Sequence, residues 1–303
     1  MSNDDRGNTL HKLMGTFLII AATVLWGSSF AVRKSAMAYI GPLTFNTLRF
    51  LAAFVFMLVV YLMRRKSVKT DAAEDNDFGR QMKAGVIIGL LYSAGSVFQQ
   101  LGLNLVSAGE TGFVNSLYTV MVPVIARIIF KTKIQPSVWI AVVFSGTGLY
   151  FVTGGGIDVN RGMFLILIAS FCFALQIIAI SKFIEASSPL LLVTIQLGIG
   201  AIVNAVMTVA ASEPFEIHMI YEAAVPVIYT GIMSLGVANF CQFAGQRMVS
   251  PTAAAIVCSF ESVFGLLFSV LLLNERMTGM KLAGCAFILA AVLLSQIKLK
   301  NKD

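Results

Sequence analysis

The sequence predicts an all-α integral membrane protein with ten transmembrane helices, arranged as two inverted five-helix repeats with both termini cytoplasmic. Three observations lead there. Of the 303 residues, 57% are hydrophobic and only 12% are charged, whereas a soluble domain carries about 25% charged residues. The charges are spaced so that ten apolar windows remain, each close to the roughly 20 residues a helix needs to cross about 30 Å of hydrocarbon. The second half of the chain also repeats the first.

In order, the windows run over residues 13–32, 43–62, 84–106, 111–130 and 137–156, then 162–181, 189–212, 223–246, 250–273 and 279–297. Residues 1–12 and 298–303 are short polar tails, which sets the repeat units at 13–156 and 157–297. A helix satisfies its own backbone hydrogen bonds in lipid, and these runs are too long and too continuously apolar for barrel strands. The first window has full spanning length and no A-x-A cleavage pattern, so it is expected to be an uncleaved helix. The acidic stretch VKTDAAEDND at 68–77 reads as a mobile cytoplasmic loop. The mean hydropathy of +0.84 leaves no window for a soluble domain.

Orientation follows from Lys and Arg, which accumulate on the cytoplasmic side. With both termini inside, 16 of the 22 fall inside. Arg33, Lys34, Arg161, Arg276 and Lys281 fall outside, and Arg49 lies within the second window. The net charge of +7 therefore reports topology. No basic face with interleaved aromatics exists, so no nucleic acid partner is expected. The partners implied are the lipid bilayer and a small-molecule solute.

A shift of 147 residues lays Gly15, Phe17, Leu18, Ile19 and Ala22 on Gly162, Phe164, Leu165, Ile166 and Ala169, and lays Pro42, Leu43 and Thr47 on Pro189, Leu190 and Thr194. A shift of 143 lays Gln99, Val106 and Ser107 on Gln242, Val249 and Ser250. An odd number of crossings per copy makes the second copy enter from the opposite side. Such inverted repeats belong to secondary transporters, whose solute site lies near the midplane between the copies.

Chemistry in a bilayer has to come from the few polar groups whose burial costs enough to need a reason. The first window carries Trp26 and Ser29, with Arg33 on the same helical face; their repeat mates in the sixth are Phe173 and Gln176 for the first two. The third carries Tyr92, Ser96 and Gln99, and the eighth carries Asn239, Gln242 and Gln246. In the fourth, Asn115 and Tyr118 pair with Cys258 and Glu261 of the ninth. Single Asn, Gln and Ser side chains commonly bond helix to helix. Recurrence at repeat-related positions instead points to a central cavity lined by Trp26, Ser29, Tyr92, Gln99, Asn115, Tyr118, Gln176, Asn239, Gln242 and Glu261. Such a wall could hydrogen-bond a polar solute and stack its planar parts.

Glu261 stands near the middle of the ninth window, where an ionised side chain costs a few kcal/mol or more. Three roles stand open for it: a structural partner, a contact to a substrate ammonium, or a carrier for proton coupling. Arg49 is a candidate partner, and it could equally snorkel to the interface. Glu110, at a helix start, suits the positive end of the helix dipole. Cys172, Cys241, Cys258 and Cys285 have no metal-ligand spacing and read as packing residues. His11 and His218 lie far apart, and GGG at 154–156 lacks the Lys-Ser/Thr of a phosphate loop. No cofactor, metal site or catalytic cluster is called for, and an enzyme is not expected.

The order WGSSF (26–30), Pro42 then Arg49-Phe50, Pro189 then Gln196, SPT (250–252), Glu261 and NER (274–276) resembles the EamA family of the drug/metabolite transporter superfamily across essentially the whole chain. The resemblance implies a ten-helix bundle with a central cavity, in a bacterial cytoplasmic (inner) membrane, exporting amino acids or other small metabolites. Ser262 follows Glu261 where the family often has Pro, which leaves a family-style break in the ninth helix without its proline. The first helix lacks the carboxylate on which the superfamily's small multidrug transporters depend, so their proton exchange is not carried over. Glu261 keeps a second reading in view, a broad-specificity efflux carrier for hydrophobic cations.

Overall fold

A computed structural model describes residues 3–67, 78–130, 136–152, 160–214, 216–249, 254 and 257–296. Helices form in all ten windows, and the first three are α1 (Asn3–Ala36), α2 (Pro42–Ser67) and α3 (Phe78–Leu105). The fourth is two helices, α4 (Ala108–Ser116) and α5 (Tyr118–Phe130), followed by α6 (Pro136–Val152). In the second half come α7 (Arg161–Phe183) and α8 (Pro189–Ala210), then a short α9 (Ile217–Glu222). The eighth window is α10 (Ala224–Ile228), a π-helical segment over Tyr229–Val237 and α11 (Ala238–Gln246). The last two are α12 (Phe260–Leu273) and α13 (Gly279–Gln296).

Seven of these segments are long and apolar enough to cross a membrane, and Trp139–Val152, Phe260–Leu273 and Gly279–Ala291 are shorter apolar helices. The acidic 68–77 stretch, the SPT run and the GGG run lie outside the described residues. Several helices outrun their windows because a window stops at the first charge whereas a helix does not. Thus α2 continues through Arg64 and Arg65, and α1 through Arg33 and Lys34.

Local chemistry fixes the ends. Ser107 and Glu110 form a capping box on α4, Asn160 caps α7, and α12 stops at Asn274 in the left-handed conformation, φ 51°. Two starts at one end of the bundle are closed by carboxylates from distant sequence. Glu275 accepts from Ala108 N (2.9 Å) and Gly109 N (3.2 Å) of α4. Glu213 accepts from Leu43 N (3.1 Å), Thr44 N (2.8 Å) and Thr44 Oγ1 (2.9 Å) of α2. A carboxylate there satisfies orphan N–H groups and the helix dipole together. Glu110 also pairs with Lys281 at 2.5 Å.

The two halves pack against each other throughout. α3 packs on α7, and α1 on α11; α1 packs on α12, and α5 on α7; α2 packs on α8, α4 on α12 and α6 on α13. Exchanging each first-half helix for its second-half counterpart reproduces this pattern. Reciprocal glycine contacts carry the same exchange. A Cβ on Gly102 would meet Gly162 O at 2.8 Å, and one on Gly162 would meet Gly102 O at 3.2 Å. Gly245 and Gly15 stand in the same relation, at 2.7 Å and 3.2 Å, as do Gly148 and Gly284 at 2.8 Å and 2.7 Å. The lack of a side chain lets these backbones approach, as in other membrane bundles.

Gly102→Ala and Gly245→Ala are therefore expected to lower stability by about 1–3 kcal/mol each, the usual cost of overpacking. Gly146 has nothing within 4 Å of an added Cβ, so Gly146→Ala should leave the melting temperature in detergent unchanged or raise it.

Candidate functional site

Where the two halves meet, the helices leave a polar cavity. Its wall comprises Trp26, Ser29, Phe30 and Arg33 of α1, Arg49 of α2, and Tyr92, Ser96 and Gln99 of α3. Asn115, Tyr118 and the α7 residues Phe173, Gln176 and Ile177 continue it, and Ser234, Leu235, Gln242 and Glu261 close it. The free volume is about 50 Å³, enough for a few water molecules. An organic solute needs the helices to move apart.

The aromatic side is held rigidly. Trp26 Nε1 donates to Ser234 O at 3.0 Å, a carbonyl within the π-helical segment, and π-turns of this kind concentrate at functional sites. The Tyr92 ring lies 5.6 Å from Phe173 and 5.9 Å from Phe50 between centroids. Asn239 Nδ2 donates to the Tyr92 hydroxyl at 3.0 Å. Asn239 is thus behind Tyr92 and does not line the cavity, unlike the other nine sequence candidates.

The charged residues differ most from expectation. Arg33, placed outside the membrane by its position, is only 3% exposed. Its Nη1 donates to Gln99 Oε1 at 2.7 Å, and Nε and Nη2 donate to Gln100 Oε1 at 2.8 and 2.6 Å. In the expected orientation this leaves four of the 22 Lys and Arg in the outer group. Arg49, a candidate partner for Glu261 or for snorkelling, does neither: Nε donates to Asn46 Oδ1 at 2.7 Å and Nη2 to Ser96 Oγ at 3.1 Å. Asn46 is held in turn by Asn204 Oδ1 at 2.5 Å. Signals for both arginines were present in the sequence. Arg33 follows Trp26 and Ser29 at the spacing of one helical face, and Arg49 stands alone in an apolar run. Ser96 was also visible in the sequence, whereas Ser234 enters through its backbone, which no side-chain pattern reveals.

Glu261 Oε2 accepts a hydrogen bond from Tyr118 Oη at 3.3 Å, which joins the two repeat mates directly. Both residues adjoin helix interruptions, Leu117 between α4 and α5 and Ser259 before α12, and the 143-residue shift pairs Ser116 with Ser259 there. A hydroxyl satisfies the carbonyl at each break: Thr119 Oγ1 donates to Ser116 O at 2.8 Å, and Ser262 Oγ to Ser259 O at 2.8 Å. The missing proline after Glu261 does not prevent the interruption, because Ser262 supplies the bond that stabilises it. Buried Asn115 Oδ1 faces the same space with no hydrogen-bond partner among the described residues.

A model of the EamA-like transporter family matches residues 13–154 and again 160–296. An uncharacterized transporter of Archaeoglobus fulgidus is 29% identical over 287 residues, covering 95% of this chain and 87% of that protein. The uncharacterized transporter YoaV of Bacillus subtilis is 22% identical over 285 residues, covering 91% of this chain and 94% of its own. A solved crystal structure superposes with a TM-score of 0.66 at 16% identity, over 92% of this chain and 95% of the other, a likeness of fold.

At the two interruptions, Thr119→Val and Ser262→Ala each leave a buried carbonyl without its hydroxyl. The expected loss is about 0.5–1.5 kcal/mol apiece, the net worth of one hydrogen bond, since Ser259 O keeps its bond from Ser262 N; it is read as a lower unfolding temperature in detergent, and the two losses should not add fully because Tyr118 and Glu261 couple the sites.

Proposed function

Because this chain belongs to the EamA-like transporter family, we propose that it is a secondary carrier moving a small polar or amphipathic metabolite outward across a bacterial cytoplasmic membrane by alternating access. Amino acids fall within that solute class. The observation that carries the proposal is a polar cavity built from both halves of a bundle whose packing survives exchange of the halves. A site shared by two related halves can face either side as one half rocks against the other. In this proposal the units 13–156 and 157–297 cross the membrane five times each, in opposite senses, with both termini cytoplasmic. Trp26, Ser29, Tyr92, Gln99, Asn115, Tyr118, Gln176, Gln242 and Glu261 contact the solute, and Asn239 positions Tyr92. Glu261 is the group available for proton coupling. Efflux of hydrophobic cations fits less well, since two guanidiniums share the cavity with the single carboxylate.

Reconstituted into liposomes, the protein should give saturable, counter-flow-stimulated flux of at least one solute from a broad metabolite panel. Flux that neither saturates nor shows counter-flow would indicate a channel, and no flux under any imposed gradient would remove the proposal.

The carboxylate clasps give a second test. With this orientation Glu213 and Glu275 lie at the outer end, where they tie α2 and α4 to the opposite half. Glu213→Gln combined with Glu275→Gln should favour outward-open molecules. A cysteine at Ser29, in a background lacking the native cysteines, should then react several-fold faster with a membrane-impermeant thiol reagent added outside. An unchanged rate would assign the clasps to stability alone.

A further inference from the structure

We propose that the solute is an organic anion: a carboxylate on an apolar body, bound between Arg33 and Arg49 with its apolar part against Trp26, Tyr92 and Phe173. This rests on the carrier reading of the cavity and narrows it to a charge class.

Both guanidiniums line the cavity and are almost completely buried, and all their hydrogen-bond partners are neutral, namely Gln99, Gln100, Asn46 and Ser96. Neither forms an ion pair among the described residues. A buried cation without a counter-ion is expensive, and its pairing is normally found nearby.

Their geometry is that of a clamp. Ser96 and Gln99 are three residues apart on α3, so the two heads are anchored about one helical turn from each other along a single face. Rings support them from the side, with Phe30 at 5.7 Å from Arg33 and Phe50 at 5.6 Å from Arg49. Each guanidinium has five N–H donors, and Nη1 of Arg49 donates no hydrogen bond among the described residues. Planar forks with spare donors match a carboxylate.

The charge balance points the same way. Glu261 is the remaining ionisable carboxylate of the wall, so the site carries +1 when it is ionised and +2 when it is protonated. An anionic solute reduces that excess in either state; a neutral or zwitterionic solute leaves it, and a cation increases it. Among the other wall residues Trp26, Phe30, Tyr92, Tyr118 and Phe173 are aromatic, beside polar Ser, Asn and Gln side chains, so an anion with an apolar body finds rings to lie against.

The test uses the full chain in lipid nanodiscs with probes of one shape and different charge. Phenylacetate and phenylpyruvate should raise the unfolding temperature in proportion to the logarithm of their concentration. Phenylacetamide, phenethylamine and phenylalanine should not. Arg33→Gln and Arg49→Gln should each weaken phenylacetate binding about ten-fold or more, the loss expected for a charge-assisted hydrogen bond, and Arg33→Lys should recover part of it. If the glutamine variants do not fold, inhibition of wild-type transport by the same probes decides the matter, with inhibition by the carboxylates alone expected. Stabilisation or inhibition by the amine or by phenylalanine without phenylacetate overturns the proposal, as does no response to either carboxylate. Saturable flux of a neutral or cationic solute would overturn this inference while leaving the carrier intact; absence of saturable flux for every solute would instead remove the carrier.

Discussion

A guanidinium enclosed in a membrane bundle has to be solvated by the protein, and Arg33 and Arg49 impose that demand on the first three helices. The donors they use are met by Gln99 and Gln100, one after the other on α3, and by Asn46 and Ser96. These bonds fix the rotation of α1, α2 and α3 about their own axes, because turning any of them would strand a charge at a cost of several kcal/mol. With α1 fixed, Trp26 faces the π-helical segment. With α3 fixed, Tyr92 stands between Phe50 and Phe173. The cavity is the space left when these polar obligations and the glycine-mediated contacts between halves are met together.

The glycine contacts are indifferent to which half they come from, whereas the charges are not. The 147-residue shift places Arg33 on Ile180 and Arg49 on Gln196, while Gln196 accepts from Gln176 at 3.0 Å. The positive groups thus belong to the first half and the carboxylate to the second. Duplication supplies a scaffold, and divergence of a few buried side chains supplies the site. A substitution on the scaffold should act through stability; one among the asymmetric polar residues should act through the solute.

Much of this was legible in the sequence. Charge spacing marked the helical windows, because hydrophobicity in lipid depends on composition more than on distant contacts. The repeat shifts brought Tyr118 and Glu261 together 143 residues apart, and polar side chains recurring at repeat-related positions inside apolar windows marked nine residues of the cavity wall. Failures came where an answer depended on the third dimension. Arg33 lies at a window edge and was counted as exposed, yet α1 continues past it and α3 covers it. Asn239 satisfies the periodicity of its face, but Tyr92 occupies the space in front of it. The interruption at Ser259 could not be inferred from a missing proline, since a hydroxyl three residues on serves the same carbonyl.

The placement of the interruptions links scaffold to charge. A regular helix through Tyr118 or Glu261 would commit every nearby carbonyl to its own helix. At each break the Thr119 and Ser262 hydroxyls bond the carbonyl that the irregular turn frees, which keeps its cost low. Glu261 and Tyr118 sit immediately beyond those breaks and bond to each other, so the bond ties the two breaks together across the halves. In the proposed carrier, symmetric packing alone would make the two facing states equal in energy, whereas arginines confined to one half and a carboxylate confined to the other would make them unequal and sensitive to the solute's charge.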